Sequence, residues 1–179
     1  MRLNKLTFIC SIIFLFFFVI TIWWKLIEFS MGCQDHLKRA ADANTVQTAK
    51  VELRTALAYL QVNNLTEGNS SIIFKLPRND IGFWYNNLNE SLKELESVPD
   101  SASQLERGNI LMKLRGTILD ETDKGTKVTH PSWLQVYPSQ FATVGIFIII
   151  SLVSCISGIL SWAELDESRY AKFERTFKI

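Results

Sequence analysis

The sequence predicts a mainly α-helical membrane protein. Two transmembrane helices, one near each terminus, flank a small extracytoplasmic helical bundle with possible short β segments. Two uncharged runs, residues 6–24 and 141–162, are nineteen and twenty-two residues long. An α-helix rises about 1.5 Å per residue, so each run is long enough to cross a hydrocarbon core of about 30 Å. Residues 30–138 between them have balanced charge, with twelve Lys or Arg and thirteen Asp or Glu, and their apolar residues recur mostly at helical spacing.

These runs divide the chain into five segments. They are a cytoplasmic tail (1–5), the first transmembrane helix (6–29), the extracytoplasmic domain (30–138), the second transmembrane helix (139–162) and a second cytoplasmic tail (163–179). The first run is interpreted as an uncleaved anchor, because it ends in Trp23, Trp24 and Lys25 without the small residues of a cleavage site. The N-terminal tail carries Arg2 and Lys5, and the C-terminal tail carries four Lys or Arg, so the positive-inside rule places both termini in the cytoplasm.

The distribution of apolar and charged residues also indicates which partners the chain has. The apolar runs imply a lipid bilayer, and the near-neutral central stretch lacks the basic stripe that nucleic-acid binding requires. Two spans around an outer helical domain resemble the general plan of bacterial sensor ectodomains and of polysaccharide chain-length regulators. That resemblance in layout implies the bacterial inner (cytoplasmic) membrane as the location.

The first helix of the outer domain is predicted over residues 34–63, as a continuation of the first transmembrane helix. Apolar residues at alternating intervals of three and four form one narrow seam along it: Val46, Ala49, Leu53, Ala56 and Leu60. Residues 71–76 follow as an extended segment, because they are rich in β-formers and are closed by a proline. Residues 126–129 and 133–137 could also be extended, and either could pair with that segment.

Two further helices complete the predicted bundle. The second is capped by Asn79 or Asp80 and carries one apolar face: Ile81, Trp84, Leu88, Leu92 and Leu95. The third begins at a capping box over residues 101–104 and runs to about Glu121. Its apolar residues cover more than half its circumference, so it is expected to be the most buried helix: Leu105, Ile110, Leu111, Met112, Leu114, Ile118 and Leu119.

No arrangement in the sequence supports catalysis, a cofactor or a metal ion. Cys33 and His36 are one helical turn apart and Asp35 is adjacent, but a structural zinc site usually has four ligands and a catalytic site three. His130 stands in a separate loop, where it is expected to face solvent or to form a hydrogen bond. Acidic residues over 90–96 alternate with a lysine, which is typical of a solvated helix face. The chain is therefore predicted not to be an enzyme.

Two groups of residues are candidate interaction surfaces. Small side chains spaced along one stripe of the second transmembrane helix would let two helix backbones approach closely. The residues of this stripe are Ser151, Ser154, Cys155, Gly158 and Ser161. The aromatic cluster of Phe83, Trp84 and Tyr85 is either part of the domain core or a partner or ligand pocket, since aromatic side chains anchor both kinds of site.

These features favour a non-enzymatic integral membrane interaction protein. It would associate with itself as a homo-oligomer or act as an accessory subunit of another membrane protein complex. The alternative is a membrane-anchored ligand-sensing module that acts through a partner protein. A dry aromatic core would favour the first function, and an open pocket with converging polar groups the second. Neither span contains an ionisable side chain other than cysteine, which argues against a pump or transporter.

Overall fold

The computed structural model describes residues 2–71, 75–123, 125–136, 145, 148–153, 155–160 and 163. The chain is mainly helical and contains a small two-stranded sheet, which confirms the predicted fold class at this level. It divides into two compact units. One is Lys25–Pro138, and the other combines Met1–Trp24 with Ser139–Ile179.

Among the described residues, one helix is long and apolar enough to cross a membrane. Helix α1 (Arg2–Phe29) continues through a π-helical turn (Ser30–Gln34) into α2 (Asp35–Ala41), as the sequence predicts. Most side chains along the apolar part of α1 are exposed, which suits a lipid environment rather than water. The apolar helix Ile148–Leu160 is shorter. The existence of two membrane spans therefore stays a prediction.

The unit Lys25–Pro138 is a bundle of four antiparallel helical segments. They are α2, α3 (Val46–Val62), α4 (Ile81–Ser97) and α5 (Gln104–Ile118). Contacts between early residues of one helix and late residues of the next fix the direction. Gln61 bonds to Tyr85, and Arg54 pairs with Glu96, so α3 and α4 run in opposite directions. Both α2 and α4 contact α5.

Polar side chains determine where these helices begin. The Thr45 hydroxyl accepts a hydrogen bond from the amide of Thr48 and starts α3, so the single helix predicted over 34–63 is wrong. Helix α2 ends at Ala41, and Thr45 begins α3 as a new helix by capping its N-terminus. Asp80 caps α4, in agreement with the sequence. Ser103, rather than residue 101, caps α5, so the predicted capping box is displaced by two residues.

Burial in the core confirms the predicted inner face of α4 and contradicts the burial predicted for α5. All five apolar residues assigned to the inner face of α4 are buried. In α5 only Leu114 and Ile118 are buried, whereas Leu105 is 75% exposed and Met112 is 73% exposed. The expectation that this helix is the most buried is therefore wrong. Its apolar residues surround the helix, but neighbouring helices contact it from one side.

A β-hairpin follows α5 directly. Strands β1 (Leu119–Thr122) and β2 (Gly125–Val128) pair antiparallel, so the helix ends at Ile118 and not near 121. The predicted extended character of 126–129 largely coincides with β2, but its partner is β1. Residues 72–74 of the other proposed strand lie outside the described residues. Leu134–Val136 forms a 3₁₀ turn, so an extended segment over 133–137 is wrong in its described part.

Candidate functional sites

The aromatic cluster is divided between the core and the surface. Trp84 is 8% exposed, and its indole Nε1 donates a hydrogen bond to the Thr129 carbonyl oxygen at 2.8 Å. The hydroxyl oxygen of Tyr85 accepts from Gln61 at 2.8 Å. Phe83 points outward and is 66% exposed. Successive helical residues are about 100° apart, so three adjacent aromatics cannot all face the core.

Phe83 and Trp84 line an open cleft of about 480 Å³. Its walls come from the start of α4, the end of α5, and the chain around β1 and after β2. The polar residues that line the cleft include Arg78, Asn87, Asp120 and Thr129. The hydroxyl of Thr129 is buried and has no hydrogen-bond partner. Aromatic and polar side chains therefore line the same open cleft.

A second cleft, of about 650 Å³, lies between the α2–α3 and α4–α5 connections. Its polar groups already stabilise the α4–α5 connection. Arg107 donates to the carbonyl oxygen of Asp100, and the amide of Ala102 donates to the Pro99 carbonyl at 3.0 Å. We therefore interpret this cleft as a gap between two connecting loops and not as a binding site.

The candidate metal ligands do not converge. Cys33 is fully buried in the core, whereas the His36 Nδ1 lies 2.7 Å from Glu52. Arg39 binds the other oxygen of Glu52 at 2.6 Å. A buried carboxylate needs such partners, because removing it from water is unfavourable. The described residues contain no group of three side chains that could hold a metal ion.

His130 forms hydrogen bonds, as expected, and joins the end of the hairpin segment to the π-helical turn. Its Nε2 lies 2.6 Å from the side-chain amide nitrogen (Nε2) of Gln34. Its Nδ1 lies 3.0 Å from the Pro131 carbonyl oxygen. A neutral ring with its proton on Nδ1 satisfies both contacts. Burial lowers the pKa of His130, and the charge of Lys127 acts in the same direction, whereas the hydrogen bond to Pro131 raises it.

The helix that follows the predicted anchor is also part of the domain core. Phe29, Cys33 and Leu37 are all buried within the bundle. Gly32 lies against the ring of Tyr59 so closely that any β-carbon at this position would collide with it. Close packing on both sides of the π-helical turn fixes this helix to α3. The stretch from Phe29 to Leu37 therefore belongs to the core of the unit Lys25–Pro138.

Helix α5 presents an uncharged face that the other described residues do not cover. At about 100° per residue, Leu105, Gly108, Met112 and Gly116 lie within one sector, opposite the buried Leu114. A β-carbon at either glycine would meet no atom within 4 Å. The sequence prediction missed this surface because it assigned Leu105 and Met112 to the core. The spacing of the two glycines alongside them could have indicated it.

The small-residue stripe of the C-terminal apolar helix is only partly described. Gly158 is buried, and the hydroxyl of Ser151 is buried without a hydrogen-bond partner. Cys155 is exposed. Ser154 and Ser161 lie outside the described residues. The helix–helix contact through this stripe therefore stays a prediction.

Comparison of this chain with known protein families, curated proteins and solved structures finds no match. Two surfaces of the described part of the domain combine exposed apolar side chains with either open glycine positions or polar side chains beside them. One is the α5 face, and the other is the cleft beside Phe83.

Proposed function

We propose that this chain is a non-enzymatic integral membrane interaction protein whose outer domain associates through the exposed face of α5. The observation that carries the proposal is the pairing of exposed Leu105 and Met112 with Gly108 and Gly116 in open space. Glycine inside a helix is less favourable than alanine by about 1 kcal/mol. Nothing in the described part of the chain requires a missing side chain at either position. A partner packed against this face would require both gaps and would bury both apolar side chains.

A second copy of the chain is the occupant that fits this face best. The face alternates bulky side chains with gaps, so Leu105 or Met112 of one copy can occupy the space above a glycine of the other. The net charge is only +1, so copies do not repel each other strongly. Glu106 has no ion-pair partner within the described residues, whereas Lys113 is paired with Glu94 at 2.6 Å, so the rim of the face offers both signs of charge.

Association is tested on the full chain in mild detergent by crosslinking and native mass spectrometry. The parent should form a dimer or larger oligomer. Leu105→Glu and Met112→Glu should lose it, because each places a charge in the proposed contact. Val62→Glu is the matched control, since Val62 is 81% exposed on α3, away from this face. Retention of the oligomer in all three variants would exclude the α5 face, and capture of a different protein by the parent would replace self-association with an accessory role.

The proposed topology has two membrane spans, both termini in the cytoplasm and the bundle outside. The length and composition of α1 support the first span, and the Lys and Arg residues of the two tails support the orientation. With the native cysteines replaced by alanine, Ser101→Cys should react with an impermeant reagent on intact cells, because Ser101 is exposed. Thr176→Cys should be protected. Labelling of Thr176→Cys alone would reverse the orientation.

The second span is proposed to contribute through its small-residue stripe. Gly158→Leu adds bulk at a buried glycine, whereas Ile159→Leu conserves volume at an exposed neighbour. Packing rather than hydrophobic exclusion holds helices together in lipid, so the first change should weaken association and the second should not. Equal assembly of both variants and the parent would remove the stripe from the interface.

A ligand-sensing module that acts through a partner is the second candidate function. Two observations favour it. The first helix is packed into the domain core at Phe29 and Cys33, and an open cleft lies beside Phe83. A ligand that changes the domain could then displace the anchor helix. Occupying the cleft should alter amide hydrogen exchange in Ser30–Gln34, and unchanged exchange with an occupied cleft would count against this function.

A further inference from the structure

The cleft beside Phe83 has the size and walls of a small-molecule site. Its volume of about 480 Å³ falls within the range of roughly 300–1,000 Å³ that is typical of ligand pockets. The floor is formed by α4, where Trp84 and Leu88 lie one turn apart on the buried face and Phe83 lies on the exposed side next to Trp84. Trp84 is held by its hydrogen bond to Thr129, and Leu88 is buried, so two of these three side chains are fixed by the core.

Phe83 gives this floor an exposed aromatic surface. Leaving apolar area in water is unfavourable by about 25 cal/mol per Å². The ring stands on the first turn of α4, and Asp80 accepts a hydrogen bond from its backbone amide at 2.9 Å. The position of the side chain is therefore set by a capped helix end rather than by a free loop. An apolar or aromatic group of a ligand would cover it.

Two opposite charges in the cleft have no partner among the described residues. Arg78 comes from the 3₁₀ turn Pro77–Asn79, and Asp120 comes from β1. Neither side chain forms an ion pair or hydrogen bond within the described residues. Other charged residues of the bundle do, including Arg54 with Glu96 and Lys113 with Glu94. The guanidinium can bind a carboxylate in a bidentate manner, and the free carboxylate can accept from an ammonium group.

One of the unsatisfied buried polar atoms belongs to the wall of the cleft. Only three buried side-chain atoms lack a hydrogen-bond partner in the described part of the chain. Thr129 Oγ1 is in the cleft wall and Asn79 Oδ1 is in the turn that carries Arg78. Leaving such an atom unpaired is unfavourable by about 1–3 kcal/mol, so each one calls for an explanation. A polar ligand or the water that accompanies it would supply the missing bond at Thr129.

We infer that this cleft binds a small zwitterionic molecule with an apolar or aromatic body, of the size of an amino acid or a dipeptide. Its carboxylate is held by Arg78 and its ammonium group by Asp120. Its apolar body lies on Phe83 and Trp84. The inference does not depend on self-association, because the α5 face is formed by different residues.

An uncharged, hydroxyl-rich ligand such as a saccharide would use the cleft differently. It could stack on Phe83 and bond to the amide of Asn87, which has no side-chain partner in the described residues. It would not need both Arg78 and Asp120. The unpaired charges of both signs therefore favour the zwitterion, and a saccharide is a separable outcome of the test.

The binding test uses the full chain in mild detergent and isothermal titration calorimetry. The probes are L-phenylalanine and glycyl-L-phenylalanine, which carry both charges at two different separations. N-acetyl-L-phenylalaninamide carries neither charge, and phenethylamine and 3-phenylpropionate carry one each. At least one zwitterion should bind about ten-fold or more tightly than each of the three control compounds, since a hydrogen bond to a charged group contributes about 1.5–3 kcal/mol.

Variants locate the site. Arg78→Gln and Asp120→Asn should each weaken binding about ten-fold or more, and Phe83→Ala should weaken it as well. All three residues are exposed, so the melting temperature should stay close to that of the parent. Arg107→Gln is the control, because it removes a guanidinium from the other cleft. Binding of neither zwitterion, equal binding of the uncharged amide, or binding of N-acetylglucosamine alone would overturn the inference.

Discussion

Helices α4 and α5 are neighbours in the same bundle, yet they use their apolar residues in opposite ways. The apolar residues of α4 form one stripe, and all of that stripe is buried. Those of α5 surround the helix, and only Leu114 and Ile118 are buried. Both helices have polar N-caps and similar lengths. The comparison shows that burial depends on where neighbouring helices lie, and not on how many apolar residues a helix contains.

The largest effect should come from the inner face of α4. Trp84→Ala should destabilise the outer domain by about 3–5 kcal/mol, because it removes a buried aromatic side chain and the hydrogen bond to Thr129. Urea denaturation of the full chain, followed by circular dichroism, measures this change. The adjacent Phe83→Ala should change the free energy of unfolding by less than about 0.5 kcal/mol. Equal losses at the two positions would mean that the cluster is not divided between core and surface.

The same contrast can be drawn within α5. Leu114→Ala should cost about 2–5 kcal/mol of stability, as large-to-small core substitutions do. Leu105→Ala, the identical substitution at an exposed position, should stay within about 0.5 kcal/mol of the parent when the protein is monomeric. Thermal unfolding at low protein concentration in detergent compares the two. If Leu105→Ala proves as damaging as Leu114→Ala, the assignment of the exposed side of α5 is wrong.

A smaller effect of opposite sign is expected at a glycine on the outer face of α5. Gly116→Ala should raise the stability of the monomer by about 0.5–1 kcal/mol, because alanine favours the helix and its β-carbon would meet no neighbouring atom. The same substitution should weaken the proposed association, since it fills a gap in the contact. Gly32→Ala is the control with the opposite outcome, because its β-carbon would collide with the Tyr59 ring. A gain in stability at both glycines would contradict the packing of the first helix on α3.

The smallest effect concerns His130, which lies in the segment after the β-hairpin and contacts Gln34. Burial lowers the pKa of His130 in the folded state, so the unfolded chain binds the proton more readily. Its contribution to stability is complete above the unfolded value of about 6.5 and is lost as the pH falls from there toward the lower folded value. His130→Gln should therefore flatten the pH dependence of the unfolding free energy between neutral and mildly acid conditions. An unchanged slope in that variant would show that His130 is not the titrating group.

Local signals predicted the elements that depend on few residues. The five-residue stripe of α4 and its Asp80 cap are confirmed, because a single apolar stripe can be buried in only one orientation. The break between α2 and α3 was not predicted, since residues 42–45 contain no glycine or proline to mark it, and the seam that begins at Val46 lies entirely within α3. The hairpin was missed for a similar reason. Leu119 reads as part of the helical pattern until its pairing with Val128 is known.

For the candidate site, too, local sequence signals predicted one part and missed the rest. The sequence identified the aromatic cluster but could not say which of its three rings would be exposed. It also gave no reason to place Arg78 beside Asp120, because they belong to different elements and neither has a local motif. Their position in one cleft depends on how the start of α4 meets the hairpin. Exposed charges without partners become visible only when burial and contacts are known.

Local composition and periodicity by themselves determined that this chain has a helix long and apolar enough to cross a membrane and a helical domain after it. Both properties depend on hydropathy and spacing along a single helix, and neither requires knowledge of distant residues. Only the tertiary structure decided which side of α5 faces outward and which charges share the cleft beside Phe83. Those features depend on contacts between segments far apart in the sequence, because burial is a property of neighbouring elements and not of one helix alone.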